Sequence, residues 1–438
     1  MDCNTFAALA AFRQNIYANF GNGRDALFDA CDALLTETQA RSFVELSLSP
    51  LFTRRWASLY QAVQNAKIDR EALQRTFVCA APMPPPGKRF VLGIDASSIA
   101  RPQSKTARDR TYVHASNLPE GSVPVTPGWQ FSTLTVLPEQ PSSWTHILDN
   151  TRIPSEQTQA QAAAAQLTSL APQLLWRPLL LGDGYYGGAG FLQQIQDVAC
   201  DALLRLAKNR VLYRVAPPKN GGRGAPRKDG LRFQPGDAAT RGEPDAVWSG
   251  TDRKGKPVTV SVWRDLHFKA ARQMTVRVFG VQRPQADDSK RDPRQSWFVF
   301  RGQDAPALSE VSDLYALRFS QEHGYRVDKQ ALLWETPRLR TPEQFQCWTD
   351  LVACVRNQLG LARFLGPVMR QPWERESRER TPPQVRRAMR GIIAQLGTPA
   401  RLPQLRGKSP GRRAGTKIAP APRYKPVYKA TCPVAKKV

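Results

Sequence analysis

Hydrophobic positions change their spacing several times along the chain, and each change marks a candidate element. Over residues 1–80 apolar side chains recur at helical spacing, as in Ala26-Leu-Phe-Asp-Ala-Cys-Asp-Ala-Leu-Leu35, which predicts an all-α N-terminal domain. The run Ala80-Ala-Pro-Met-Pro-Pro-Pro-Gly87 breaks any helix and reads as a linker. Beyond it the pattern shortens to strands. Arg89-Phe-Val-Leu-Gly-Ile-Asp95 and Gln130-Phe-Ser-Thr-Leu-Thr-Val-Leu137 are clear ones, with Thr111-Tyr-Val-His114 a weaker strand between them. The stretch Ser155 to Leu170, rich in alanine and glutamine, predicts a helix capped by Ser155. Pro178-Leu-Leu-Leu-Gly-Asp183 reads as a buried strand stopped by Gly184, Phe191 to Val198 as a helix, and Asp201-Ala-Leu-Leu-Arg-Leu206 as another strand. This order describes an α/β core over 88–208, whose functional residues gather at strand ends.

Residues 209–305 read as a mainly β insertion. It opens on the basic, glycine-rich loop Pro217-Pro-Lys-Asn-Gly-Gly-Arg-Gly-Ala-Pro-Arg-Lys-Asp-Gly230. The stretches Lys256 to Trp263 and Gln273 to Val281 then alternate like half-exposed antiparallel strands. Helical spacing returns over 306–370, as the C-terminal helices of the core. The segment 371–438 is basic and rich in proline, the composition of a disordered tail.

Charge narrows the choice of partner. Lys and Arg number 63 against 37 acids, for a net charge of +26 and a pI near 10.3. Such an excess attracts polyanions and makes nucleic acid the leading partner, although charge alone does not imply catalysis. The N-terminal 80 residues, with eight basic and eight acidic side chains, are neutral. No apolar run approaches the roughly 18 residues of a membrane span, and the N-terminus carries no secretory pattern. The seven cysteines are scattered without a C-x-x-C pair, which fits reduced thiols in a cytosol. Only four histidines occur, far apart, so a catalytic metal would have to sit on carboxylates.

Two carboxylates stand out by position. Asp95 and Asp183 each close an apolar strand, where a carboxylate must find water, a cation or a donor. Capping a turn is the plain alternative, and Gly184 after Asp183 invites it. A third group is sharper. On a straight helix Tyr315, Arg318, Glu322 and Lys329 would fall within a stripe about 60° wide. A phenol, two cations and a carboxylate on one face could hold a metal and phosphates; an exposed face with an Arg318–Glu322 pair is the bland reading.

The spacing Tyr315-(2)-Arg318-(3)-Glu322-(6)-Lys329 resembles the Y-(2)-R-(3)-E-(6)-K signature of DDE transposases from bacterial insertion sequences. The resemblance extends to Gly93-Ile-Asp95-Ala-Ser-Ser and to Leu181-Gly-Asp183-Gly-Tyr-Tyr-Gly, and spans roughly residues 88–370. It implies an RNase H-like core on which Asp95, Asp183 and Glu322 hold two Mg2+ or Mn2+ ions. It further implies cut-and-paste transposition, in which Arg318 and Lys329 grip phosphates and Tyr315 donates a hydrogen bond to one. The partners would be double-stranded DNA, as terminal inverted repeats and target, bound by a homodimer in a bacterial cytoplasm at the nucleoid. Residues 1–80 would bind the DNA ends or dimerise. Trp297 is a candidate platform for a flipped base, with a core tryptophan the equal alternative. Two other readings stand beside this one. A metal-dependent, structure-specific DNA nuclease would need the carboxylates but not the stripe. A catalytically silent DNA-binding protein derived from a transposase would need neither.

Overall fold

Every residue of the apolar strand Leu179–Gly182 is buried. A run apolar on both faces suits the middle of a parallel sheet covered on both sides. The computed structural model describes residues 3–115, 124–219, 225–289, 293–374, 380–404, 411, 413–417 and 419–429. Parts of the expected basic loop (220–224) and tail (375–379, 405–410, 430–438) lie outside the described residues. Five helices come first: α1 (Cys3–Asn19), α2 (Arg24–Thr36), α3 (Phe43–Leu46), α4 (Trp56–Asn65) and α5 (Arg70–Cys79). After them come β1 (Val91–Ala100), β2 (Thr111–His114), β3 (Val125–Val136), β4 (His146–Ile153), α6 (Gln159–Leu170), β5 (Leu179–Gly182), α7 (Ala189–Gln194) and β6 (Asp201–Arg205). The next stretch holds β7 (Leu212–Arg214), β8 (Arg232–Phe233), α8 (Ala238–Arg241), β9 (Ala246–Thr251), β10 (Pro257–Phe268), β11 (Ala271–Gln282) and β12 (Gln295–Arg301). The last helices are α9 (Leu308–Ala316), α10 (Phe319–Arg326), α11 (Pro342–Leu361) and α12 (Pro382–Leu396).

The protein is a mixed α/β fold with one large sheet. Its strands run in the order β2-β3-β1-β5-β6-β12-β11-β10-β7-β8, with β4 added to β3 and β9 to β10. Only β1, β5 and β6 pair in parallel among the described strands. The β-rich segment does not stand apart. Its last strand, β12, pairs antiparallel with β6 from Phe298↔Arg205 to Arg301↔Ala202, which makes it an extension of the core sheet. Helices α6 and α7 cover one face of the sheet with Ala163, Leu167 and Phe191. On the other face α9 contributes Val311 and Tyr315.

Several expectations change. The cap of α6 is Thr158, three residues after Ser155; its side chain accepts from Gln161 N while Gln161 bonds back, a capping box. Asp95 lies in the middle of β1, because antiparallel pairing with β3 carries the strand on to Ala100. The helix expected to carry the stripe is broken. Between α9 and α10 the chain tightens into i→i−3 bonds, Arg318 N to Tyr315 O and Gln321 N to Arg318 O, and past α10 it widens into a π turn over Val327–Ala331.

The expected tail is partly structured. Helix α12 begins on Thr381 and Pro382 and buries Val385, Met389, Ile392 and Ile393. Arg386 donates to the carbonyls of Leu34 (2.8 Å), Glu37 (2.7 Å) and Ala331 (2.7 Å), joining both ends of the chain. Helices α1, α2, α11 and α12 share one core with Phe131 and Ile147 of the sheet. Within the N-terminal segment Asp32 is buried in a two-pronged bond with Arg13 (2.7 and 3.0 Å). Cys31, Cys79, Cys200, Cys347 and Cys354 are free thiols, and no described helix is long and apolar enough to cross a membrane.

Met389→Ala should lower the unfolding free energy by about 2–4 kcal/mol, read as a lower urea midpoint. A midpoint unchanged within error would mean that α12 does not pack on the N-terminal helices.

Candidate active site

The parallel register of β1 on β5 ends at Ile94↔Gly182, so the next residues on the two strands are Asp95 and Asp183. The register of β5 on β6 ends at Gly182↔Leu204, which sets Arg205 beside Asp183. One short row just past the end of the parallel register therefore reads Asp95, Asp183, Arg205. Each carboxylate has one oxygen on a backbone amide: Ala96 N donates to Asp95 Oδ1 and Tyr185 N to Asp183 Oδ1, both at 2.8 Å. Burial, and next the charge of Asp183, push the Asp95 carboxyl up to about 7, against the opposing pull of Arg318; Glu322 adds a smaller upward push.

Helix α10 crosses this row because the sheet leaves room for it. A Cβ on Gly93 would lie 2.7 Å from Gln321 Oε1 and 2.9 Å from Leu137 Cδ2, so a larger residue there would make both side chains shift. Gln321 Nε2 donates to Thr133 O (2.8 Å), and the Tyr325 hydroxyl donates to Asp95 O (3.1 Å). From behind, Arg356 of α11 donates to Gly324 O and to Asp328 Oδ1, both at 2.8 Å. A Cβ on Gly324 would lie 3.0 Å from that guanidinium. The outcome is a fixed helix with Glu322 on its open face. Its side chain is 54% exposed and accepts from Arg318 Nη2 at 2.7 Å, while Arg318 itself is 10% exposed.

The remaining residues of the stripe are placed less uniformly. Tyr315 is buried; its ring lies 4.4 Å from that of Phe298 and its hydroxyl donates to Gly182 O at 3.4 Å. It braces the residue before Asp183, because it lies on the face of α9 that packs, with Val311, onto the sheet. Lys329, on the π turn, donates to Ser98 O (3.2 Å) and pairs with Glu335 (3.4 Å). A groove of about 630 Å³ opens there, lined by Ser97, Ser98, Arg101, Glu322, Tyr325 and Lys329. Trp297 does not join the site. It is 4% exposed on β12, packed at 5.5 Å against Trp263 with Arg241 over its ring, so the core reading holds and no base can reach it as placed. Arg205 escaped the sequence reading. The sign of it was a cation near the end of a buried strand; its charge reaches the Tyr315 hydroxyl, which places it on the site's side of β6.

The donors here are all oxygens, as a hard divalent cation requires, and a cation would relieve the repulsion felt by Asp95. Asp95 and Asp183 fit that use directly. Glu322 is engaged by Arg318, and among the described residues no group of three His, Cys, Asp or Glu side chains is gathered closely enough to hold a metal ion.

The sequence profile of the DDE superfamily endonuclease matches residues 15–267, more than half of the chain, and the protein belongs to that family. The matched span contains Asp95, Asp183 and Arg205 and ends before Glu322. No curated protein matches the chain. Among solved structures, the chain is similar to a piggyBac transposase in a synaptic complex with hairpin DNA, at 9% identity and a TM-score of 0.43, covering 90% of this chain and 80% of the other.

Asp95 also sets a pH dependence. Its folded pKa, about 7, lies above the ordinary 3.8, so the stability it contributes is full below about pH 4 and is lost as pH rises through 7. Asp95→Asn should therefore raise the melting temperature of the metal-free protein by a few degrees at pH 8, with the gain shrinking toward pH 4. Equal melting temperatures at pH 8 would show that burial and Asp183 do not hold the Asp95 carboxyl above its ordinary range.

Proposed function

We propose that the protein is a metal-dependent DNA transposase of RNase H-like design, cutting DNA at the ends of a mobile element and joining those ends to a target. The observation that carries this reading is the pair Asp95 and Asp183 on adjacent parallel strands, with Glu322 presented from a helix clamped across them.

In this reading Asp95 and Asp183 are the standing metal ligands, and Glu322 completes the set when it leaves Arg318. Divalent ions bound there, Mg2+ or Mn2+, supply Lewis-acid activation of a water or 3′-hydroxyl and stabilisation of the leaving oxygen. Arg318, once released, and Arg205 flank the carboxylates and hold the non-bridging oxygens of the phosphate, whose charge the carboxylates alone would repel. Lys329 contacts the backbone further along the groove. Tyr315 acts through Gly182 O, keeping Asp183 in register, and is a positioning residue. The net charge of +26 holds duplex DNA by its phosphates, with affinity that falls steeply in salt. Two ends must be processed together for cut-and-paste movement, which assigns the active form to a homodimer on terminal inverted repeats.

The test is a denaturing gel of labelled duplex carrying the inverted repeats that flank the gene, incubated with Mg2+ or Mn2+. Cleavage at the element boundary is expected, with a loss of more than about 100-fold in Glu322→Gln. Cuts unrelated to the boundary would replace transposition by structure-specific nuclease activity. Tight binding without any cut in either metal would leave a silent DNA-binding protein.

A further inference from the structure

Resting on the DNA-processing reading above, we infer that Tyr112 and Tyr428 form one aromatic platform, which stacks a base of an unpaired strand entering the groove. The platform is built where the end of the chain meets the edge of the sheet. Strand β2 pairs with β3 on one side only, and the C-terminal segment docks on its other edge. Val427 N donates to Arg110 O (2.6 Å), Tyr424 N donates to Lys105 O (2.8 Å), and Val427 forms a parallel bridge with Thr111. The buried Arg110 guanidinium donates to Tyr424 O (2.8 Å) and to Arg101 O (2.9 Å), tying the segment to a residue that lines the groove. Lys429 Nζ reaches Gln130 Oε1 on β3 at 2.9 Å.

This docking brings two rings together from distant parts of the chain. With Val427 beside Thr111 in a parallel pair, the residues that follow, Tyr428 and Tyr112, stand side by side. Their ring centroids are 4.8 Å apart, with 32° between the planes. Single exposed aromatics are common on protein surfaces and mean little by themselves. A pair that served only to anchor the tail would be covered, yet Tyr112 is 41% and Tyr428 79% exposed. Position and charge select the ligand. Along β2 Thr111 and Val113 are buried while Tyr112 and His114 are exposed, so Tyr112 shares a face with His114, about 7 Å further on. His114 and Ala115 line the groove that also holds Glu322 and Lys329, which sets the platform beyond the β2 end of that groove. Residues 423–429 carry Arg423, Lys425 and Lys429 and no acid. Aromatic surface interleaved with cations fits a nucleic-acid strand, the rings taking a base and the cations its phosphates. Bases inside a duplex are stacked on one another, so the strand that uses this platform has left its partner.

The experiment uses the full-length protein and two fluorescein-labelled boundary duplexes, one blunt and one with a short single-stranded oligothymidine tail. Binding is measured by anisotropy without divalent metal, and boundary cleavage is scored separately in Mg2+. The wild type should bind the tailed duplex more tightly than the blunt one. Tyr112→Ala and Tyr428→Ala should each weaken binding of the tailed duplex by ~5- to ~100-fold, leaving the blunt duplex and the salt dependence unchanged. The double variant should lose little more than either single one, because both rings make one surface. Tyr428→Phe and Tyr428→Trp should stay close to wild type. Val427→Pro, which removes the amide that docks the segment, should behave as Tyr428→Ala does. Equal wild-type affinity for the two duplexes, equal losses on both in the Ala variants, or losses in Phe and Trp matching those in Ala would each overturn the platform. If such a result came with cleavage at the boundary, the transposase reading would stand without it. A ring-dependent preference for tailed DNA in a protein that makes no boundary cut would keep the platform and remove the transposase reading.

Discussion

Two carboxylates on neighbouring parallel strands repel each other, and much of the surrounding structure holds them in that position. Parallel pairing fixes Asp95 and Asp183 side by side without either side chain choosing it, because the register ends at Ile94↔Gly182. Neither residue can move away while β1 is held by β3 on one side and β5 by β6 on the other. Within this row the repulsion is offset only in part, by one backbone amide to each carboxylate and by Arg318. On the proposed reading, a bound cation would relieve this repulsion.

The helices explain what fixes the segment that carries Glu322. Arg356 is almost wholly buried and finds its partners in Gly324 O, Asp328 and Thr145 Oγ1. Breaking a buried pair of this kind leaves an uncompensated charge and costs about 3–5 kcal/mol. This bond therefore fixes the helix bearing Glu322 more firmly than any exposed contact could. Helix α11, which supplies Arg356, is in turn packed by α1, α2 and α12. The N-terminal helices and the end of the chain thus support the site from behind, whatever else they bind.

The residues legible in the sequence are those whose neighbours along the chain define them. Asp95 and Asp183 close apolar runs, and the Tyr315–Lys329 spacing is a property of one short segment. The illegible features depend on pairing between distant segments. Arg205 joins the site only through the register of β5 with β6. The β segment merges with the core only through β12 on β6. Helix α12 reads as tail because its basic residues dominate its composition, although Met389 and Ile392 mark a buried face and Arg386 is used internally. Trp297 sits on a strand whose neighbours on both sides are covered, and no local pattern distinguishes that from an exposed edge.

The stripe of four residues was the sharpest signal, and its geometry was the least faithful. A period of 3.6 assumes one unbroken α-helix. The chain instead spends a tight turn at Tyr315–Gln321 and a π turn at Val327–Ala331, and each rotates the residues beyond it. Spacing along the sequence survives such changes; a shared face does not. The same four residues consequently separate into two kinds. Tyr315 is drawn inward to brace the strand that leads into Asp183, whereas Glu322 and Lys329 stay on the open side, Glu322 accepting from the buried Arg318 and Lys329 donating to Ser98 O. Arg318 is the link between the two. Its ring contacts with Tyr315 and Phe319 keep it buried, its Nη2 holds Glu322, and its charge moderates Asp95. One guanidinium thus restrains Glu322 and tempers the repulsion within the pair Asp95 and Asp183.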